Sequence, residues 1–250
     1  VEIEGTEPYI VGGHTASGYW VDNNRATTIE GLYAAGDVAG GCPQKYVTGA
    51  LAEGEIAAEA ILEYLNGKDD DRIAADNKEE ALVCGGEQEL SQTAIAKKAE
   101  YESHLNASRS LMNAEQLEEA MQKIMDQYAG GISTDYRYSG MSLAKADEKI
   151  AALLPVADTL AAADTYELMQ IYELRERLIV CRAVIAHLAA RKETRWHSFG
   201  ENTDYPQQSE EWMKYVNSRM ENGEIKILYR DLITKENTGL NTAEKGAGER

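Results

Sequence analysis

Cysteine is scarce in this chain of 250 residues: Cys42, Cys84 and Cys181 are the only three, far apart and with no Cys-x-x-Cys pair. That excludes a disulfide framework or a Cys-ligated cluster on this chain and fits a reducing compartment. Basic residues are outnumbered, with 25 Lys and Arg against 43 Asp and Glu, for a formal net charge of -18. No block of clustered Lys and Arg is present, so a phosphate-tracking surface for nucleic acid is not expected. The acidic excess instead points to a soluble, cytoplasmic chain. No apolar run approaches the roughly 18 residues that a membrane span needs. The opening Val1-Glu2-Ile3-Glu4 is acidic and lacks a basic region before an apolar stretch, so no secretory signal is expected. The chain opens on Val1 rather than Met, which leads us to expect a fragment or a processed product. There is no internal repeat, and no G-x-G-x-x-G opens a helix. The turn that usually holds the ADP half of a dinucleotide is therefore not on this chain.

What is present divides in two. Up to about residue 65 the chain is rich in Gly and in short β-type segments, at Ile10-Val11, Tyr19-Trp20-Val21 and Leu32-Tyr33-Ala34-Ala35. Such segments bounded by Gly predict strands. A helix is predicted from Gln44 to Leu65, because Val47, Ala50, Leu51, Gly54, Ala58, Ile61 and Leu65 step by threes and fours. Asn66-Gly67 is expected to stop it, and the acidic stretch Lys68 to Glu80 to form a surface loop with weak helical character. Beyond Glu87 the pattern becomes helical, with helices predicted at 87–106, 114–128, 142–162 and 165–192. Asn113 and Asp164 suit N-caps, and Glu167 three residues after Asp164 suggests a capping box. Asn222-Gly223 between two alternating segments predicts a hairpin. The polar stretch from Thr234 to Arg250 is expected to be disordered. The expected architecture is an incomplete α/β portion over residues 1–103. A mainly α-helical C-terminal domain follows over 104–250, with a small hairpin and a disordered tail.

Three strings carry candidate chemistry. Gly31-Leu32-Tyr33-Ala34-Ala35-Gly36-Asp37 reads as a strand running into a Gly turn that ends on an acid. At the edge of a nucleotide-binding sheet such a turn brings backbone close to a ligand, and the carboxylate accepts from sugar hydroxyls. It reads equally as a tight turn with a solvated Asp. Gly40-Gly41-Cys42-Pro43-Gln44-Lys45-Tyr46-Val47-Thr48-Gly49-Ala50 leads a Gly-rich loop into a helix start. Free N–H groups and the positive dipole end would face whatever lies there. The plain alternative is an ordinary helix start. Gly12-Gly13-His14-Thr15-Ala16-Ser17-Gly18-Tyr19-Trp20 places a His in a Gly-rich loop. Its near-neutral pKa suits binding an anion or moving a proton, although a lone loop His is commonly just a surface residue.

Together, GGHTASGYWVD, NRATTIEGLYAAGDVAGG and PQKYVTGALAEGEIAAEAI resemble the α subunits of the adenylyl-sulfate (APS) reductase family, within the fumarate reductase and succinate dehydrogenase flavoprotein superfamily. The likeness is dense from about Glu7 to Leu65. It resumes at Lys192-Glu193-Thr194-Arg195-Trp196, at Asp204-Tyr205-Pro206 and from Trp212 to Arg219. GLYAAGD occurs in many flavoproteins; GGHTASGYW and GGCPQKYVTG are far more specific. The dicarboxylate enzymes of the superfamily usually carry His-Gly-Ala-Asn-Arg-Leu before the corresponding helix. Here that place holds Gly40-Gly41-Cys42-Pro43-Gln44-Lys45.

The resemblance implies that the α/β portion belongs to an FAD-binding domain. It implies reversible reduction of adenylyl sulfate to sulfite and AMP through a flavin N5–sulfite adduct. Electrons would come from an iron–sulfur β subunit in a heterodimer, with the clusters on that partner only and no metal on this chain. Gly36, Asp37, Gln44, Lys45, Tyr46, Val47, Thr48 and Gly49 would hold the cofactor. The helix start would favour the anionic reduced flavin, and His14 would be catalytic, stabilising negative charge on sulfite or AMP. Arg195, Trp196 and Trp212 read as packing and salt-bridging residues, and Cys42 as a small packing residue. His104, His187 and His197 have no ligand spacing. Two alternatives stand beside this reading. One is a superfamily member acting on a dicarboxylate or related acceptor; the other is a non-enzymatic helical interaction module with an inert nucleotide-fold remnant.

Overall fold

The structure, a computed structural model, describes residues 18–40, 47–75, 86–107, 112–195 and 200–232. Residues 18–75 fall in one compact unit and residues 86–231 in a second. The division expected near residue 103 lies inside a helix that runs from Gly86 to Leu105.

In the first unit, residues 18–40 pair through two isolated bridges, Tyr19 with Ala39 and Ala26 with Tyr33. The segments predicted as strands at 19–21 and 32–35 thus contribute single bridge positions rather than ladders, and Ile10-Val11 lies outside the described residues. Local hydrogen bonding explains this. The Asp22 carboxylate accepts from the N–H groups of Asn24 and Ala26 at 2.8 and 3.0 Å. Arg25 between them takes a left-handed φ of 64°. The chain therefore turns before a second bridge can form. A single 3-10 turn covers Gly36–Val38, and helix α1 follows from Val47 to Ala75.

Helix α1 does not stop at Asn66-Gly67, and the loop expected from Lys68 is helical as far as Ala75. A glycine ends a helix when it takes the left-handed C-cap conformation, and Gly67 is not among the positive-φ glycines. In a helix interior it costs only about 1 kcal/mol relative to Ala.

The second unit contains α2 (Gly86–Leu105), α3 (Ala114–Tyr128), the short strand β1 (Arg137–Tyr138), α4 (Gly140–Ala157) and α5 (Thr165–Ala190). Three strands follow: β2 (Glu201–Asn202), β3 (Lys214–Glu221) and β4 (Glu224–Asp231). Its core lies where α3, α4 and α5 meet. Leu117 of α3, Leu143 and Ile150 of α4, and Leu178 of α5 are almost wholly buried. On α5 the buried face is made by Leu168, Ile171, Leu174, Leu178 and Ile185, which recur at helical spacing. Each such side chain stabilises by about 1.5–3 kcal/mol.

The helix caps follow their sequence signals. Asn113 accepts from the Gln116 N–H at 2.8 Å, and the Gln116 side chain accepts from the Asn113 N–H at 3.0 Å. Asn113→Ala is therefore expected to lower stability by about 0.5–2 kcal/mol in urea unfolding. At α5 Asp164 accepts from the N–H groups of Tyr166 and Glu167. Glu167 accepts from Ala163 rather than from Asp164 itself, so the expected box is displaced by one residue.

Helix α4 departs from expectation at both ends. It begins two residues early because Ser139 and Ser142 cap each other. It ends at Ala157 rather than 162, with Pro155 inside its last turn. The chain leaves the helix there to bury Leu160, whose carbonyl meets His104 Nδ1 at 2.6 Å. The Ala162 N–H then donates to the His104 carbonyl at 3.0 Å.

Strands β3 and β4 pair antiparallel around Asn222-Gly223, whose φ values of 51° and 81° are those of a tight two-residue turn. The hairpin docks on α5 through His187 Nε2 to Ser218 Oγ, 2.9 Å, and from the Tyr229 hydroxyl to the Ala190 carbonyl, 3.4 Å. β1 and β2 form one short parallel pair.

Candidate functional site

The candidate site lies in the first unit, around the Gly36 turn and the described start of α1. Gly36 is buried with a left-handed φ of 72°. A Cβ there would stand 3.1 Å from the Ala50 Cβ. Glycine is thus required twice at this position, by its backbone angle and by the close approach of α1. The neighbouring Asp37 is exposed. On α1, Val47 and Thr48 are exposed and Gly49 is half-buried. The 3-10 turn that carries Gly36 and Asp37 packs against α1, where Gly36 meets Ala50 and Glu53 in the two turns that follow Val47, Thr48 and Gly49. His14, Gln44, Lys45 and Tyr46 lie outside the described residues.

Sequence reasoning missed two residues here. Glu53 on α1 is 5% exposed. One of its oxygens accepts the Gly36 N–H at 3.0 Å. The other lies 3.4 Å from Arg25 Nε, an ion pair without hydrogen-bond geometry. Arg25 in turn donates from Nη1 to the Asp22 carbonyl at 3.1 Å and accepts the Ala34 N–H at 3.0 Å. The only signal in the sequence is an acid three residues after Ala50 on an otherwise small-residue face, which by itself reads as a solvated position.

In the second unit the string resuming the resemblance forms a buried polar knot. Glu193 is 2% exposed. It receives Arg191 Nη1 at 2.7 Å, Arg195 Nη2 at 2.8 Å and the Ser209 N–H at 3.0 Å. Burial would push its carboxyl up, but the bonds from Arg195, Ser209 and Arg191 outweigh that and hold it below the usual carboxylate range. Arg195 is thus a salt-bridging residue, as its sequence context suggested. Trp212 packs edge-on against Tyr229 with ring centroids 5.7 Å apart. Asp204 accepts the Gly140 N–H at 2.7 Å and so anchors the start of α4. Trp196 and His197 are outside the described residues. Burial, and secondarily Arg191, lowers the pKa of His187. Among the described residues no group of three or more His, Cys, Asp or Glu is placed to hold a metal ion. No helix among them is long and apolar enough to cross a membrane.

Helices α3 to α5 with the β3–β4 hairpin define a helical C-terminal flavoprotein domain. The chain belongs to the family of fumarate reductase flavoprotein C-terminal domains, whose model matches residues 115–244. It is 30% identical to the adenylylsulfate reductase subunit alpha of Megalodesulfovibrio gigas, over 87% of this chain and 36% of that protein. It is 27% identical to an uncharacterised FAD-dependent oxidoreductase of Methanocaldococcus jannaschii, over 82% of this chain and 35% of that one. The chain thus spans about a third of the length of the curated relatives it matches. A solved adenosine-5-phosphosulfate reductase, in complex with sulfite as a covalent adduct, superposes with a TM-score of 0.66 at 32% identity. That match covers 84% of this chain and 33% of the other. An E. coli quinol fumarate reductase superposes with a TM-score of 0.63 at 20% identity, over 87% and 36%.

Proposed function

We propose that this chain is the C-terminal part of an FAD-dependent adenylyl-sulfate reductase α subunit, which reduces adenylyl sulfate reversibly to sulfite and AMP. The carrying observation is a contrast between fold and sequence. Fold similarity to the two enzyme types is nearly equal, at TM-scores of 0.66 and 0.63, yet identity is 32% for the adenosine-5-phosphosulfate reductase and 20% for the fumarate reductase. The replacement of His-Gly-Ala-Asn-Arg-Leu by Gly40 to Lys45 supports the same choice.

In this reading the first unit, rather than the whole of residues 1–103, contributes to an α/β FAD domain, and its described residues fit the group. Gly36, lacking a Cβ, gives the close turn, Asp37 offers a carboxylate to sugar-chain hydroxyls, and Gln44–Gly49 lead into α1. Bound FAD would supply the two-electron chemistry. The residues of this chain hold and orient it, and His14 donates to negative charge developing on sulfite or AMP. Electrons arrive from an iron–sulfur β subunit that carries all the clusters, in the cytoplasm. The test is the full-length protein with that partner, assayed with adenylyl sulfate and with fumarate. AMP and sulfite should form, with fumarate poorer by at least roughly a hundredfold. Preference for fumarate would establish the dicarboxylate alternative, and inactivity of a flavin-free full-length protein would establish the interaction module.

A further inference from the structure

We propose that Glu53 is a positioning residue for FAD: its carboxylate holds the Gly36 peptide and thereby sets the direction in which Asp37 is presented. The inference rests on the reading of Gly36-Asp37 as a flavin-holding turn.

Glycine populates many backbone conformations, so the direction of the residue after Gly36 must be chosen by something other than local sterics. The Gly36 N–H is tied at 3.0 Å to Glu53 Oε2. The second oxygen faces Arg25 Nε. Arg25 grips the Asp22 loop through its guanidinium and the segment before Gly36 through its own carbonyl. One buried carboxylate therefore joins helix α1, the Asp22 loop and the Gly36 turn. For packing alone this choice is poor, because an interior carboxylate carries a desolvation cost and the positions one turn before and after it on the same face, Ala50 and Ala57, are alanines. The cost is intelligible if the orientation of the next residue, the exposed Asp37, matters.

The experiment uses the full-length protein with its iron–sulfur partner and the variants Glu53→Leu and Glu53→Gln. Three quantities are read: flavin absorbance per chain, FAD affinity of the flavin-stripped protein by fluorescence titration, and the thermal midpoint of that stripped protein. Glu53→Leu should weaken FAD binding about ten- to a hundredfold, the scale of one hydrogen bond to a charged group. Its stripped protein should melt below the wild type, because the buried Gly36 N–H and Arg25 Nε lose their acceptor and ion-pair partner, but stay folded at the titration temperature. Glu53→Gln, whose amide oxygen still accepts from Gly36, should recover most of the affinity. Wild-type affinity in Glu53→Leu overturns the proposal, as do equal losses in both variants or a stripped Glu53→Leu protein that is already unfolded at the titration temperature. A wild-type protein that binds no FAD would overturn the proposed function as well. Normal wild-type binding with an indifferent Glu53→Leu overturns this inference alone.

Discussion

Glu193→Ala is expected to destabilise the second unit by about 3–5 kcal/mol, the cost of removing one partner from a buried ionic group. Glu193 is enclosed by Arg191, Arg195 and the Ser209 N–H. Arg191 also donates to the carbonyls of Trp212 at 2.9 Å and Lys214 at 2.9 Å, so it cannot move to water without breaking two bonds at the start of the hairpin. Removing the carboxylate leaves two guanidinium groups facing each other and one orphaned N–H. Urea unfolding of Glu193→Ala checks this, and a midpoint within error of wild type would refute it.

The pH dependence follows in sign. The folded pKa of Glu193 lies below its ordinary value, so its contribution is full above the unfolded carboxylate range. It is lost as pH falls through the folded pKa. Glu193→Gln should flatten the acid limb of the stability curve.

His14→Ala should lower turnover with adenylyl sulfate about a hundred- to a thousandfold, or ~2.7–4 kcal/mol, the cost of one lost charge-stabilising donor in a closed site. Flavin content should stay near normal. Two glycines precede His14, so no neighbouring side chain would crowd an anionic ligand there, and an imidazole can donate to it directly. Asp37→Ala should behave in the opposite way, emptying the flavin site because its proposed partners are flavin hydroxyls. Occupancy and turnover measured on both variants test this division of labour. Near-normal turnover in His14→Ala would return His14 to an ordinary loop residue.

The amino-acid sequence by itself determined what depends on near neighbours. Helix α3 runs over the residues predicted, 114–128, because its cap, its apolar period and its end are all encoded within one short stretch. Asn222-Gly223 specified its turn for the same reason, since both residues accept positive φ. Tertiary structure decided the rest. Helix α4 stops at Ala157 because Leu160 is needed by His104, which lies 56 residues earlier. The Asn66-Gly67 signal fails because a stop requires a left-handed Gly, and residue identity permits that conformation without compelling it. Glu53 and Glu193 look in the sequence like two more acids in a chain with 43. Burial gives them their roles, because a carboxylate removed from water must find donors. In one case the donor is the Gly36 N–H, with Arg25 as ion-pair partner, and in the other the donors come from residues 191, 195 and 209. No local pattern records that requirement, because the cost of burying the charge arises only when the chain folds around it.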